Sequence, residues 1–294
     1  MLSSSFRRSL SVHRYALAVA VAVMIPLVGA STAAATPTGE YSVFKQCPLS
    51  VSGVVSCIFA TTTGGEVKIG STTVPITNPI VLQGGLKQSG FETPFVAAAD
   101  GNTLSKVAQT VPGGLLGIVA PEFFPPILRA IFNEIINHGP TGVTATTELV
   151  GPAQYNFFSL LIGEGPGVVL PVRVKLGNAF LGNSCYIGSS SHPVTLNLTT
   201  GTTAPPGPNT PITGDLGTIE QRNAGNLIID TGNKLVDNAW SAPEASGCGG
   251  FPWEILVDFA VDLKLGLPSA AGKNTAILTG NLEQASASAV LASE

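Results

Sequence analysis

Short runs of apolar and β-branched residues recur along the chain, and they constrain its fold more than any other feature. In residues 172–176 apolar side chains alternate with charged ones, as expected for a strand with one buried face. Similar runs lie at 54–59, 194–199 and 275–282. Glycine pairs at 64–65 and 84–85 indicate turns. Many short strands at close spacing predict a mainly β domain, either a β-sandwich or a distorted barrel, with one or two covering helices.

The first of these helices is predicted between Pro125 and Gly139. A proline fits the first turn of a helix, and glycine commonly ends one. Six apolar residues recur at helical spacing: Ile127, Leu128, Ile131, Phe132, Ile135 and Ile136. We expect this apolar stripe to face the protein's own core, and the alternative is docking on a membrane or a partner protein.

A second helix is predicted from Pro252 to Leu265. Its apolar residues also alternate as in a strand, but the start and stop residues favour a helix. On this helix Glu254, Asp258 and Asp262 would form a narrow acidic stripe. Such a stripe either binds Ca²⁺ or is neutralised by Lys264, and we expect the neutralised form.

Residues 1–35 predict a cleaved signal peptide. Arginines precede an uncharged stretch at 15–30, and alanines at 33–35 offer a cleavage site. The stretch is shorter than the roughly 20 residues of a membrane span, which disfavours a retained anchor. The residues after Arg7-Arg8 match a twin-arginine signal poorly, so general secretion is favoured. We therefore expect residues 36–294 to form a single secreted domain, extracellular or at the cell-envelope surface, with no membrane span.

Charge excludes one class of partner. Cleavage removes three arginines and no acidic residue, which leaves 11 basic against 18 acidic residues and a net charge of −7. Nucleic-acid binding requires a basic face, so nucleic acid is not an expected partner.

The four cysteines all lie after the leader, at Cys47, Cys57, Cys185 and Cys248. An even number of cysteines in an exported chain predicts two disulfides. Three pairings are possible, and we favour Cys47–Cys57 and Cys185–Cys248 because a short hairpin would bring the first two together. A zinc site is disfavoured, since the chain has no C-x-x-C pair.

The C-terminal half contains three distinctive segments: LGNAFLGNSCYIGSSSHPVTLNLTTGTTAPPGPNTPITG from Leu176, LVDNAWSAPEASGCGG from Leu235, and LGLPSAAGKNTAILTGNLEQA from Leu265. These segments resemble secreted β-rich proteins of actinobacterial type whose function is unassigned. The resemblance implies secretion and supplies no catalytic residue.

The sharpest enzymatic pattern is Asp230-Thr231-Gly232, which follows an apolar lead-in. It resembles an aspartic-protease motif, whose chemistry needs two carboxyls that share one proton. The chain has no second copy of the motif. We therefore interpret Asp230 as the end of a strand, where its carboxylate caps an Asx turn and Gly232 adopts a positive φ.

Other catalytic chemistry has less support. The chain lacks a G-x-S-x-G elbow, and only His138 and His192 follow the leader as candidate bases. We expect no catalytic residue, no metal and no cofactor.

The sequence thus predicts a non-catalytic, exported binding or structural protein, with a cell-wall polymer or a lipid as its partner. Two alternatives stay open. One is a secreted hydrolase that uses Asp230, and the other is a lipid carrier in which the helix at 127–136 gates an apolar cavity.

Overall fold

A computed structural model describes residues 36–88 and 94–294. The predicted signal peptide lies outside the described residues. The strands are β1 (Val54–Ile69), β2 (Thr72–Pro75), β3 (Ile80–Lys87), β4 (Phe95–Ala97), β5 (Ala108–Val111), β6 (Val143–Leu149), β7 (Gln154–Tyr155), β8 (Val168–Gly177), β9 (Tyr186–Ile187), β10 (Val194–Leu198), β11 (Thr218–Arg222), β12 (Leu227–Asp237), β13 (Ala245–Ser246) and β14 (Thr275–Ser286). The helices are α1 (Pro126–His138), α2 (Phe157–Ile162), α3 (Glu254–Leu265) and α4 (Ala287–Ala292).

The strands form two antiparallel sheets, as expected for a β-sandwich. The first sheet has the order β11-β12-β14-β1-β3-β4, and β2 also pairs with β1. The second has the order β13-β9-β8-β6-β5, and both β7 and β10 also pair with β8. Non-consecutive strands are neighbours in both sheets, so most of the pairing is long-range.

The main core lies between the sheets, and β8 shows how the sequence produces it. Its burial alternates residue by residue, with the apolar side chains Val168, Leu170, Val172, Val174 and Leu176 buried. Each such side chain contributes about 1.5–3 kcal/mol when fully buried. Ile58 of β1 and Leu282 of β14 belong to the same core from the first sheet. The mainly β prediction is confirmed.

A smaller apolar cluster covers the other face of the first sheet. Phe44, from a 3₁₀ turn at Gly39–Phe44, packs there with Leu227 of β12 and Val290 of α4. The Cys47–Cys57 disulfide ties this turn to β1. Thr38 Oγ1 donates a hydrogen bond of 2.6 Å to the carbonyl oxygen of Ser293, so the two ends of residues 36–294 meet at this cluster.

Both predicted disulfides are present, with Cys57, Cys185 and Cys248 completely buried. The Cys185–Cys248 bridge joins the segment before β9 to the segment before α3. The two predicted helices are confirmed as α1 and α3.

The glycine pairs are not turns, and this expectation was wrong. Gly64 and Gly65 lie inside β1, and Gly84 and Gly85 lie inside β3. A Cβ on Gly65 would overlap the carbonyl oxygen of Ile277 on the neighbouring β14. The pairs therefore allow close approach between strands, a second role of glycine in sheets.

Candidate functional site

A large apolar cavity opens at one end of the sandwich. Its volume is about 660 Å³. The inner wall comes from both sheets and from α3, and its side chains include Ile69, Val111, Val143, Val174, Leu176, Ile187, Val257 and Val261. Cavities of this size are typical of small-molecule sites, and apolar linings favour apolar ligands.

The mouth of the cavity is at the surface. The exposed residues Val119, Phe180 and Ala260 belong to its lining. Among residues 36–88 and 94–294, Lys264, near the end of α3, is the one charged residue in the lining. Its Nζ lies 3.4 Å from the carbonyl oxygen of Leu116, at an exposed position. The cavity thus combines an apolar interior with a single cation at its mouth.

Most of the apolar stripe of α1 faces away from the protein, so our expectation that it faces the core was wrong. Only Phe132 and Ile136 of the stripe are half-buried. Ile127, Ile131 and Ile135 are all more than half exposed. Three polar side chains point inward instead, whereas Glu134 and His138 are exposed. The Oδ1 atoms of Asn133 and Asn137 accept hydrogen bonds from the backbone N–H groups of Ala120 and Gly113, and Arg129 donates to the carbonyl oxygen of Glu122.

The same arrangement recurs on α3. Asp258 accepts a 2.8 Å hydrogen bond from the N–H of Cys248, and Asp262 accepts one of 2.7 Å from the N–H of Ala245. Two of the three acidic residues of the predicted stripe therefore bind the backbone of the segment before α3, while Glu254 is exposed. Among the described residues Lys264 forms no ion pair with the stripe, so the expected neutralisation by Lys264 was wrong. The outward face of α3 is formed mainly by exposed apolar side chains, Ile255, Leu256, Phe259 and Leu263, with the exposed charges of Glu254 and Lys264 at its two ends.

Asp230 does not end a strand, as our Asx-turn interpretation required, but lies within β12. The pairing of β12 with β14 shifts between Thr231 and Asn233, which makes Gly232, at a φ of 75°, the extra residue of a β-bulge. In a regular strand residues 230 and 233 would point to opposite faces. The bulge turns both side chains inward, and Asn233 Nδ2 donates a 2.9 Å hydrogen bond to Asp230 Oδ2.

The environment of Asp230 is apolar enough to change its ionisation. The residue is 4% exposed, and its Oδ1 atom has no hydrogen-bond partner. Burial raises the pKa of Asp230 to about 6, the bond from Asn233 opposes this rise, and the charge of Asp215 adds to it. The hydrogen-bond partner of Asp230 Oδ2 is the amide of Asn233 and not a second carboxyl group. The bulge therefore does not form the pair of carboxyls that an aspartic protease needs at this atom. Thr231 and Gly232 are exposed on the outer face.

A small second cavity, of about 100 Å³, lies between the sheets beside Asp230. Tyr155 lines it and donates a 3.0 Å hydrogen bond to Gln284 Oε1. Burial, and then the charge of Asp230, raise the pKa of the Tyr155 hydroxyl. The polar groups here are largely paired with one another.

The remaining candidates do not converge on one site. His192 lies at the surface beside Ser191, in a cavity of about 370 Å³ that Glu244 also lines. His138 pairs with Glu134 on α1, with 3.8 Å between the side-chain nitrogen and oxygen. Among residues 36–88 and 94–294, no cluster of three or more His, Cys, Asp or Glu side chains is arranged to hold a metal ion.

Comparison with known proteins adds no relative. No family model, curated protein or solved structure matches the chain. The large cavity and the two helices beside it are therefore the features on which a function has to be argued.

The sequence suggested an apolar cavity only as an alternative, gated by the helix at 127–136, and no residue of α1 belongs to the lining that the structure describes. The cavity could not be located from the sequence because most of its lining residues are ordinary inward-facing strand and helix residues. One pattern could have revealed the orientation of α1. Arg129, Asn133 and Asn137 recur every four residues and form a stripe of their own. Such side chains can bind the backbone of a neighbouring loop as well as water.

Proposed function

We propose that the protein is an exported, non-catalytic carrier that binds a lipid-like molecule in the large cavity. The observation that carries this proposal is the cavity itself, about 660 Å³ of mainly apolar space with a mouth at the surface. A well-packed β-sandwich leaves few voids larger than a water molecule between its sheets. A space of this size is therefore best explained by a ligand that fills it.

The lining favours a lipid over a cell-wall polymer. A polysaccharide is bound through many hydrogen bonds, because its hydroxyl groups must be satisfied when they leave water. The deep wall of this cavity offers side chains such as Val111, Val174 and Ile187, which form none. An acyl chain has no polar groups to satisfy and gains about 0.8 kcal/mol for each buried CH₂.

Lys264 indicates the head group of the ligand. It is the single charged residue that the described part of the chain contributes to the lining, and it is exposed at the mouth. A carboxylate or phosphate head placed there would pair with its ammonium group while the chain lies inside. We therefore propose an anionic amphiphile, such as a fatty acid, as the ligand class.

The proposal that the carrier is exported is supported by the predicted N-terminal leader and by the cysteines. All four described cysteines are paired in disulfides. Disulfides of this kind persist in oxidising compartments and are rare in the cytosol. Mass spectrometry of the purified protein tests export, because we expect the mature chain to lack residues 1–35.

Blocking the cavity tests the carrier function. Ala145 of β6 lines the cavity, whereas Thr146 lies on the opposite face of the same strand. Replacing Ala145 by Phe places a ring in the cavity and should weaken binding of the fluorescent fatty acid cis-parinaric acid by about tenfold or more, since a lost apolar contact of 1.4 kcal/mol is tenfold. Fluorescence titration measures the change. The matched control, Thr146→Phe, should bind as the wild type does. Absence of saturable binding to the wild type would end the proposal.

The proposed role of Lys264 in binding the anionic head group is tested by removing its charge. Lys264→Gln should weaken cis-parinaric acid binding about three- to fivefold, because an exposed charge pair contributes up to roughly 1 kcal/mol. Binding of the uncharged probe N-phenyl-1-naphthylamine should change less than about twofold, since that probe has no anionic head. Equal losses for both probes would contradict a role of Lys264 in recognising the head group.

A further inference from the structure

We infer that the outward faces of α1 and α3 dock on the surface of a lipid bilayer. Exposed apolar side chains of this size are rare as a group on a monomeric protein. Ile255 on α3 is 82% exposed, and Ile127 on α1 and Phe251 before α3 are exposed to a similar degree or more. We call the exposed apolar side chains of α1, and those of α3 together with Phe251, the helix faces.

The inward turn of the polar side chains is the first argument. Asn133 and Asn137 of α1, and Asp258 and Asp262 of α3, hydrogen-bond backbone N–H groups of the protein. A helix exposed to water normally shows these side chains to the solvent and buries its apolar ones. On each helix part of this pattern is reversed, because polar side chains bind the protein's own backbone while apolar ones such as Ile131 and Phe259 are exposed. Val257 and Val261 of α3 line the cavity in the usual way. An arrangement of this kind is stable where the outer surroundings are themselves apolar.

The position of the helix faces is the second argument. Both helices contact the segment 113–120, α1 through the bond from Gly113 to Asn137 and α3 through the approach of Lys264 to Leu116. The same segment supplies Val119 to the mouth of the large cavity. A bilayer in contact with this end would give an apolar ligand a path into the cavity that avoids water.

Composition favours a bilayer over a protein partner. Protein interfaces form about one hydrogen bond per 100–200 Å² and keep a polar rim. Between the charged residues Glu254 and Lys264 at its two ends, the exposed residues of α3 are Ile255, Leu256, Phe259, Ala260 and Leu263, which offer no hydrogen-bonding side chain. Trp253, at the start of α3, is also exposed, and tryptophan is enriched where proteins meet the lipid–water interface.

The docking is shallow and apolar. None of the described helices is long and apolar enough to cross a membrane. Taken together, α1 and α3 contain more acidic than basic residues. Electrostatic attraction to anionic head groups is therefore not what drives the docking. We expect the two helices to lie in the plane of the interface with their apolar side chains among the acyl chains.

Flotation with vesicles tests this inference. The protein is purified after export, its N-terminus is confirmed by mass spectrometry, and it is mixed with phosphatidylcholine vesicles in 0.5 M NaCl. The wild type should float with the vesicles. Phe259→Asp should reduce the floated fraction at least about fivefold, because a charge placed among acyl chains is strongly unfavourable. Ile131→Asp tests α1 in the same way.

The matched control is Phe158→Asp. Phe158 on α2 is 66% exposed and Phe259 is 67% exposed, so the two substitutions are alike in chemistry and exposure. Phe158→Asp should float as the wild type does. Failure of the wild type to float, or an equal loss in both variants, would overturn the inference. So would a stable dimer in analytical ultracentrifugation that Phe259→Asp dissociates, if the wild type does not float.

The idea that the ligand enters from the bilayer rests on the proposed carrier function. The docking of the helix faces on a bilayer, which flotation tests, does not depend on that function. Ala145→Phe should float normally while it loses cis-parinaric acid binding. Phe259→Asp should keep the binding of this probe from solution. Flotation of a wild type that binds no probe would refute the carrier function and leave the docking surface in place.

Discussion

Asp230 is the residue whose ionisation the fold changes most clearly. The bulge in β12 turns its carboxyl inward, Asn233 satisfies one oxygen, and the other oxygen has no partner. A buried, half-satisfied carboxylate is costly, and protonation relieves part of that cost. The folded protein therefore holds a proton on Asp230 at pH values where the unfolded chain has released it.

This raised pKa predicts how stability depends on pH. The pKa of Asp230 is about 6 in the folded protein and 3.8 for an ordinary aspartate. Between these values the folded state binds more protons, so its contribution to stability falls as pH rises, by roughly 2–3 kcal/mol in total. Asp230→Asn removes the titrating group. Its free energy of unfolding, relative to that of the wild type, should therefore increase by this amount between pH 3.5 and pH 7, so that the variant gains stability relative to the wild type.

Urea unfolding of both proteins at several pH values measures this difference. Thr231→Ala serves as the control, since Thr231 lies at the same bulge, faces outward and does not titrate. Its effect on stability should be the same at each pH. A pH-independent difference between Asp230→Asn and the wild type would contradict the assigned environment.

At the scale of elements, two β-bulges face each other across β14. The pairing of β1 with β14 shifts between Thr62 and Gly64, and that of β12 with β14 shifts between Thr231 and Asn233. Gly280 of β14 is the partner of Thr62 on one side and of Asn233 on the other. Bulges bend strands and redirect side chains. The bulge in β12 accounts for the inward orientation of Asp230.

Gly280 should be the least tolerant position of this arrangement. A Cβ there would overlap the carbonyl oxygen of Thr61, which is backbone and cannot move aside. We expect Gly280→Ala to lower the free energy of unfolding by about 2–3 kcal/mol, the cost typical of forced overpacking. A Cβ on Gly207 has open space around it, so Gly207→Ala should stay within about 0.5 kcal/mol of the wild type. Guanidinium unfolding compares the two variants.

At the scale of the whole molecule, the disulfides hold the helical end and the N-terminal segment on the sandwich. Cys47–Cys57 closes a separation of 10 residues and Cys185–Cys248 one of 63. The chain-entropy model gives about 3 kcal/mol for the shorter loop and about 4 kcal/mol for the longer one.

Paired replacement by alanine separates the two bridges. C185A/C248A should lose more stability than C47A/C57A, with losses of about 4 and 3 kcal/mol in urea unfolding. The first variant should also bind cis-parinaric acid more weakly, because Asp258 holds α3 through the N–H of Cys248. The second should keep its affinity, since its bridge lies on the far face of the first sheet. Equal affinities would show that the bridge does not position α3.

Sequence patterns predicted the parts of this fold that depend on local chemistry. Alternation identified β8 and β10, proline and glycine bounded α1, and the even number of cysteines gave both bridges. The patterns failed where a neighbour from a distant part of the chain decides. The sequence around Gly65 predicts a turn, because the sequence does not show that the carbonyl oxygen of Ile277 on β14 lies against this glycine. The orientation of α1 likewise depends on the segment 113–120, which its asparagines bind.

The contact between Thr38 and Ser293 has a practical consequence. Since the two ends of residues 36–294 are hydrogen-bonded neighbours, a short peptide can join them, and the ring so formed can be reopened in an exposed loop such as the one between β10 and β11. A permuted chain of this kind would begin and end far along the sequence from Cys47 while keeping every strand partner. A label or a surface tether could equally be attached near Thr38 or near Ser293, and in both cases the protein would be attached at the same place on its surface.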